Sequence, residues 1–332
     1  MIKYLGSKRT LVPQLCELVL GLRAKSAIDL FSGTARVGHA LKRLGIQVHA
    51  NDHNAYAATL ARCYVETDRN LVLRNARLLI AELNKLRGET GWFTENFCIN
   101  SRFFQPKNGA RIDAIREAIA RKELDQPLES VLLVALMEAA DRVDSTIGVQ
   151  MAYLKHWAPR SFNDLELRLP DVLPRARNGK GSVHQLDALD AAQVLTGDVA
   201  YLDPPYNQHK YLGNYHIWES LILWDKPEVY GVACKRIDCR SRLSSFNSRL
   251  LAVDAMRSVV SCLQCEHLIV SFSDEGYLSR RELEEILRCR GKVLVLGHDY
   301  KRHVGAQLEY TTRRGKRLAP WADCEIRNIS TS

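Results

Sequence analysis

The feature that most constrains this chain is an alternation of short apolar runs, each closed by Gly or Asp, with segments of helical period. Residues 11, 15, 18, 19 and 22 (Leu, Leu, Leu, Val, Leu) share one helical face. Ala27 to Phe31 then form an apolar run interrupted by Asp29 and closed by Ser32 and Gly33. Val37, Ala40, Leu41 and Leu44 mark the next helix, Gly45 ends it, and Ile46 to Ala50 alternates up to Asn51 and Asp52. A further helix covers about Ala55 to Val65. The pattern resumes with strands at Val183 to Leu186 and Val199 to Leu202, helices at Trp218 to Trp224 and Arg249 to Leu263, a strand at Leu268 to Phe272, a helix at Arg281 to Leu287 and a strand at Val293 to Leu296. Alternating β and α elements imply a mostly parallel sheet covered on both faces, with ligands at the carboxyl ends of its strands.

Between these halves the alternation stops. The stretch to about Lys180 reads as mainly helical, with Ile112, Ile115, Ala118 and Ile119 on one face and a buried run over Val131 to Ala140. It closes with Pro170, Pro174 and a basic, Gly-containing connector from Arg175 to Gly181. The expected organisation is a discontinuous catalytic domain (1–65 and 182–312), an inserted region (66–181) and a basic tail (313–332) carrying Arg313, Arg314, Lys316 and Arg317.

The longest clean apolar run, Val131 to Met137, is far short of the ~20 residues that cross a bilayer, and no basic stretch with an apolar core opens the chain. A cytoplasmic location without membrane contact is expected. Nine cysteines, an odd number without framework spacing, read as reduced thiols. Cys262 and Cys265, with Cys234 and Cys239 upstream, only superficially suggest zinc. The net charge of +9 favours a polyanionic partner, although a basic soluble enzyme would carry it too.

Two clusters carry chemistry. In the first, Asp29 to Gly33 (DLFSG) sits at a strand-to-helix turn where Gly33 lets backbone approach a ligand, and Asp52 ends the next strand, where nucleotide-binding folds place an acid for ribose hydroxyls. Gly33 to Gly38 fits neither G-x-G-x-x-G nor a phosphate loop ending in Gly-Lys, which disfavours dehydrogenases and NTPases.

The second is Tyr201 to Tyr206 (YLDPPY), projecting from a strand's carboxyl end. Pro204 and Pro205 lack N–H donors, so carbonyls there act as acceptors beside the Asp203 carboxylate, and Tyr206 can stack on an aromatic ring. Such a loop is suited to hold an exocyclic amine by its hydrogens and turn the nitrogen lone pair towards an electrophile.

In this order, Lys3 to Lys8 (KYLGSK), DLFSG, Asn51-Asp52 and DPPY resemble the Dam-like (D12 class, alpha-group) DNA adenine-N6 methyltransferases. The resemblance implies a Rossmann-like S-adenosylmethionine-dependent fold with a mostly helical inserted target-recognition domain. It implies Tyr4 and Lys8 near the cofactor's methionyl end, Asp29, Phe31 and Gly33 along its backbone, Asp52 on its ribose and Asp187 on its adenine, with Asp190 or Asp198 as substitutes for Asp187. Asp203, Pro204, Pro205 and Tyr206 would be catalytic.

The implied activity is site-specific methylation of a flipped adenine in double-stranded DNA, as the modification partner of a restriction endonuclease; the cofactor carries the methyl, so no metal is needed. The Asp at 203 favours adenine over cytosine. An RNA amino-methyltransferase and a non-catalytic DNA-binding protein on the same fold are the competing readings. Phosphate contacts are expected from Lys235, Arg236, Arg240 and Arg242, with Arg249 nearby, and contacts to both phosphates and base edges from Arg102 and Lys107 in the insertion. Gln105, Asn108 and Arg111 could join these, and His209 and His216 are further candidates for touching DNA.

Overall fold

The computed structural model describes residues 1–4, 8–206, 210–272 and 276–297. It divides into two units, 1–292 and 293–332. In the second, the described residues 293–297 are coil, so the strand expected at Val293 to Leu296 is absent there; an apolar run makes a strand only where a ladder pairs with it. The basic tail from 313 lies outside the described residues.

In the first unit, a five-stranded parallel sheet is built from β1 (Ser26–Asp29), β2 (Gln47–Asn51), β3 (Ser182–His184), β4 (Thr196–Leu202) and β7 (Gln264–Val270), in the order β3-β2-β1-β4-β7. A two-stranded antiparallel ribbon, β5 (Val229–Tyr230) and β6 (Lys235–Arg236), stands apart. The helices are α1 (Val12–Gly21), α2 (Arg36–Arg43), α3 (Ala55–Ala61), α4 (Arg69–Leu83), α5 (Trp92–Thr94), α6 (Pro106–Arg121), α7 (Gln126–Val143), α8 (Ala188–Val194), α9 (Tyr211–Asn214), α10 (His216–Leu223), α11 (Ala252–Cys262) and α12 (Arg280–Arg288).

Strand period sorts the side chains onto two faces. Ala27, Val199 and Tyr201 join one core, whereas Ile28, Leu30, Ala200 and Leu202 join another with residues of α8, α11 and α12. The first core extends without a break into the segment 66–181: Val131 to Met137 of α7 belong to it, and α7 packs on α3, α4 and α6. α7 is apolar nearly all round, as a helix enclosed by others must be.

The strand order reverses at β1 and β4, which lie side by side with Asp29 in register with Tyr201. Their carboxyl ends therefore open one crevice, the usual ligand position of such sheets. Gly38 allows α2 to lie close over β1 and β2, since a Cβ there would come within 2.9 Å of Val65 and 3.2 Å of the Asp29 carboxylate.

Candidate active site

Three loops meet at the reversal. Leu30 N–H donates to the Tyr201 carbonyl (3.2 Å) and Ser32 N–H to that of Asn51 (2.9 Å). The buried Asn51 amide donates to the carbonyls of Leu30 and Leu186 and accepts from Leu186 N–H, tying the loops after β1, β2 and β3 together. Gly33 adopts φ 51°, a left-handed conformation, and its N–H donates to Asp52 Oδ2 at 2.9 Å. Asp52 Oδ1 accepts from Asn54 N–H at 3.0 Å.

The cavity is lined by Tyr4, Lys8, Asp29, Phe31, Gly33, Asp52, Asp187, Asp203 and Pro205, which brings both sequence clusters into one space. Asp187 caps α8 by accepting from Leu189 N–H. Its two alternatives are not in the lining; Asp198 accepts from Lys25 and Ser26 N–H at the opposite end of β1. Pro204 and Tyr206 also stand outside the lining. The Tyr206 ring meets Phe272 edge-on at 6.0 Å and lies 5.9 Å from Lys8 Nζ.

Lys8, expected at the methionyl end, pairs with Asp203 at 3.0 Å. Four carboxylates line the cavity, and burial raises the pKa of Asp29, Asp52 and Asp203. It pushes Asp29 up to about 7, against the Gly38 N–H bond, with Asp203 and Asp52 adding repulsion. For Asp203 the Lys8 ammonium opposes burial, and for Asp52 the Asn54 and Gly33 N–H groups do so.

Several residues here escaped the sequence reading. The Tyr4 ring stacks on Tyr215 (4.5 Å) and Tyr211 (5.4 Å), and its hydroxyl lies 3.2 Å from that of Tyr56. Glu219, fully buried, accepts from Ala55 and Tyr56 N–H at the start of α3 and from Arg242 at 2.8 Å. An acid within the apolar helix sequence of α10 was the available signal.

The basic positions divide. Arg240 is exposed, its guanidinium 4.1 Å from the Tyr230 ring centre, and Lys235 is half-buried on the ribbon. Arg102 lies over Trp157 at 4.9 Å, and exposed Lys107 bonds the Phe162 carbonyl and Asp164.

Other expected contacts are corrected by burial. Arg236 is only 3% exposed and donates to Asp225, Asp238 and Ser220, so it holds the ribbon and is not presented to a phosphate. Arg242 lines the cavity but is committed to Glu219. Asn108 is buried against the backbone of Ser161, Asn163 and Leu165, and Arg111 bonds the carbonyls of Leu86 and Asn84. His216 is fully buried beside the Gln150 carbonyl, and burial pulls its pKa down to about 3. His209 lies outside the described residues.

A sequence family described as D12 class N6 adenine-specific DNA methyltransferase matches residues 4–286. The chain is similar to Type II methyltransferase M.NlaIII of Neisseria lactamica, with 30% identity over 91% of this chain and 92% of that protein. It is also similar to Type II methyltransferase M.FokI of Planomicrobium okeanokoites (30% identity, 87% of this chain) and to Modification methylase StsI of Streptococcus sanguinis (28%, 86%). It spans about half of these two longer proteins, 47% and 46%. No solved structure matches the chain.

Proposed function

The chain belongs to the D12 class of N6 adenine-specific DNA methyltransferases, and on that premise we propose that it binds S-adenosylmethionine in the crevice between β1 and β4 and methylates adenine within one short sequence of duplex DNA. The observation that carries this reading is the register of Asp29 with Tyr201, which opens DLFSG and DPPY into one cavity. A family acting on DNA sets aside the RNA reading.

The donor set suits the cofactor. A sulfonium and an ammonium are both cationic, and Asp29 and Asp52 line the cavity. Gly33, left-handed at φ 51°, takes a conformation that a residue with a side chain rarely adopts and leaves its backbone open to a ligand. Asp52 binds the ribose, Asp187 the adenine, and Asp29, Phe31, Gly33 and Tyr4 the remainder.

S-adenosylmethionine bound there supplies the electrophilic methyl group. Asp203 and a proline carbonyl of the DPPY loop accept the two hydrogens of the adenine amino group, drawing the nitrogen out of conjugation and orienting its lone pair. Asp203 then holds the proton that the nitrogen sheds, a task helped by the upward pull of burial on its pKa. Lys8 must swing aside for the amine. Tyr206 stacks on the flipped base in place of its lost neighbours.

Arg240, Lys235, Arg102 and Lys107 contact phosphates, and the segment 66–181 reads the target sequence. The names of the relatives support a modification enzyme paired with a restriction endonuclease. No helix among the described residues is long and apolar enough to cross a membrane. Incubation with labelled cofactor and unmethylated genomic DNA, followed by sequencing of modified positions, tests the whole. N6-methyladenine confined to one motif supports it; label scattered without a motif, or on RNA, contradicts it.

A further inference from the structure

The inserted segment reaches the site through one carboxylate. Asp144, 2% exposed, follows α7 and accepts from Lys3 Nζ (2.9 Å), from Nε and Nη2 of Arg160 (2.8 and 2.7 Å) and from Thr146 Oγ1 (2.6 Å). Asp141, in the last turn of α7, accepts from Lys3 N–H at 3.1 Å and lies 3.6 Å from its ammonium. Two cations thus face two carboxylates, the condition under which charges persist away from water. Lys3 is the residue before Tyr4, and the same N-terminal segment carries Lys8.

The loop after Asp144 grips the other side of the site. Gln150, 3% exposed, donates its N–H to the Asn214 carbonyl (2.7 Å), its own carbonyl accepts from His216 Nε2 (3.0 Å), and its Oε1 accepts from Ile217 N–H (2.9 Å). Tyr215 lies between these partners, and its ring stacks on Tyr4. Residues 144–150 of the insertion therefore hold both segments whose rings meet beside the cavity. Arg160 also donates to the Thr146 carbonyl and so keeps this loop closed around the Asp144 carboxylate.

We propose that Asp144 is a positioning residue for methyl transfer: by holding Lys3 to the inserted segment, it sets the places of Tyr4 in the cavity wall and of Lys8 on Asp203. The inference rests on the reading of the cavity as the site of S-adenosylmethionine and the target adenine. It gives the insertion a part in the chemistry besides reading DNA, since a misplacement of about 1 Å at a reacting group can cost ~10²-fold in rate.

The test compares Asp144→Asn, which keeps the shape and an acceptor for Thr146 but removes the charge, with Lys3→Met, which breaks the same contact from the other side. Methyl transfer to duplex DNA is followed against pH at saturating S-adenosylmethionine, cofactor binding by calorimetry and folding by thermal unfolding. In both variants the cofactor binds about threefold or more weakly. The acid limb of kcat/KM moves to higher pH by about half a unit or more, the direction that loss of the Lys8 ammonium itself would give. In a Lys8→Met background, Asp144→Asn moves the limb no further, because the contact it acts through is already gone. A lower unfolding midpoint with the limb and the affinity unmoved makes Asp144 a residue of the fold alone and overturns the proposal. So does a shift in Asp144→Asn that Lys3→Met does not share, or one that adds to that of Lys8→Met. A wild-type chain that neither binds S-adenosylmethionine nor transfers a methyl group overturns the reading of the cavity, and this inference with it.

Discussion

Lys8 Nζ lies 3.0 Å from Asp203 Oδ1, with both side chains largely screened from solvent. A primary ammonium thus occupies a carboxylate whose proposed task is to accept hydrogens from an amine. The pairing opposes the upward pull of burial on the Asp203 pKa and holds the carboxylate ready for exchange of one N–H donor for another.

Lys8→Met therefore has a predictable effect on pH dependence. Without the ammonium the Asp203 pKa rises further, and the carboxylate is protonated over more of the acid range. The acid limb of kcat/KM moves to higher pH by about one unit or more. An unmoved limb, measured with saturating cofactor, would show that Lys8 does not tune Asp203.

Asp29 gives a stability signature of unusual sign. A solvated aspartate titrates at 3.8 and this one at about 7 in the fold, so between these values the folded state binds the proton more tightly. Its stabilising contribution is full below about pH 4 and fades as pH rises towards about 7. Asp29→Asn, which keeps an acceptor for Gly38 N–H, gains stability relative to wild type across that window. Unfolding midpoints of the two proteins against pH check this; a constant difference would contradict it.

The basic loop separates into structural and DNA-facing roles. Arg236→Ala removes a buried guanidinium from Asp225 and Asp238 and costs about 2–3 kcal/mol of stability. Arg240→Ala leaves stability nearly unchanged, weakens binding of any duplex and lowers the slope of log affinity against log salt by about one. Chemical denaturation and salt titrations of both variants distinguish them, and the reverse pattern would refute the division.

Glu219 links the start of α3 to Arg242 beside the cavity. Glu219→Gln keeps the acceptor for one N–H group but removes the buried charge paired with Arg242, leaving it only Asp238 at 3.3 Å, at a cost of roughly 2–3 kcal/mol. Cofactor affinity falls with it, because α3 begins two residues after His53 on the loop that carries Asp52. Retained stability and affinity would show that Asp238 alone suffices as the counter-charge of Arg242.

The strands of the sheet were legible because each is a short apolar run closed by Gly or Asp, and β1, β2 and β4 end where the ligand-binding residues begin. Val293 to Leu296 has the same composition without the strand, since pairing is a property of neighbours and not of the run. Burial of cations was equally hidden: nothing in KRIDCR distinguishes Arg236, enclosed by Asp225 and Asp238, from exposed Arg240. Tyr56 reads as an ordinary residue of the helix expected from Ala55, and Tyr211 and Tyr215 carry no motif, because their convergence on Tyr4 depends on how distant segments pack. His216 looked like a loop histidine near the catalytic motif, yet it heads an apolar helix whose face is fully enclosed.

The central claim is that Asp203 acts on the adenine amino group and not on the cofactor. Single-turnover methyl transfer to duplex DNA by Asp203→Ala, with cofactor affinity measured in parallel, tests it most directly. Transfer is expected to fall by roughly 10²- to 10³-fold or more, with cofactor affinity within about twofold of wild type. Transfer at the wild-type rate, or a loss explained wholly by weaker cofactor binding, would contradict the account.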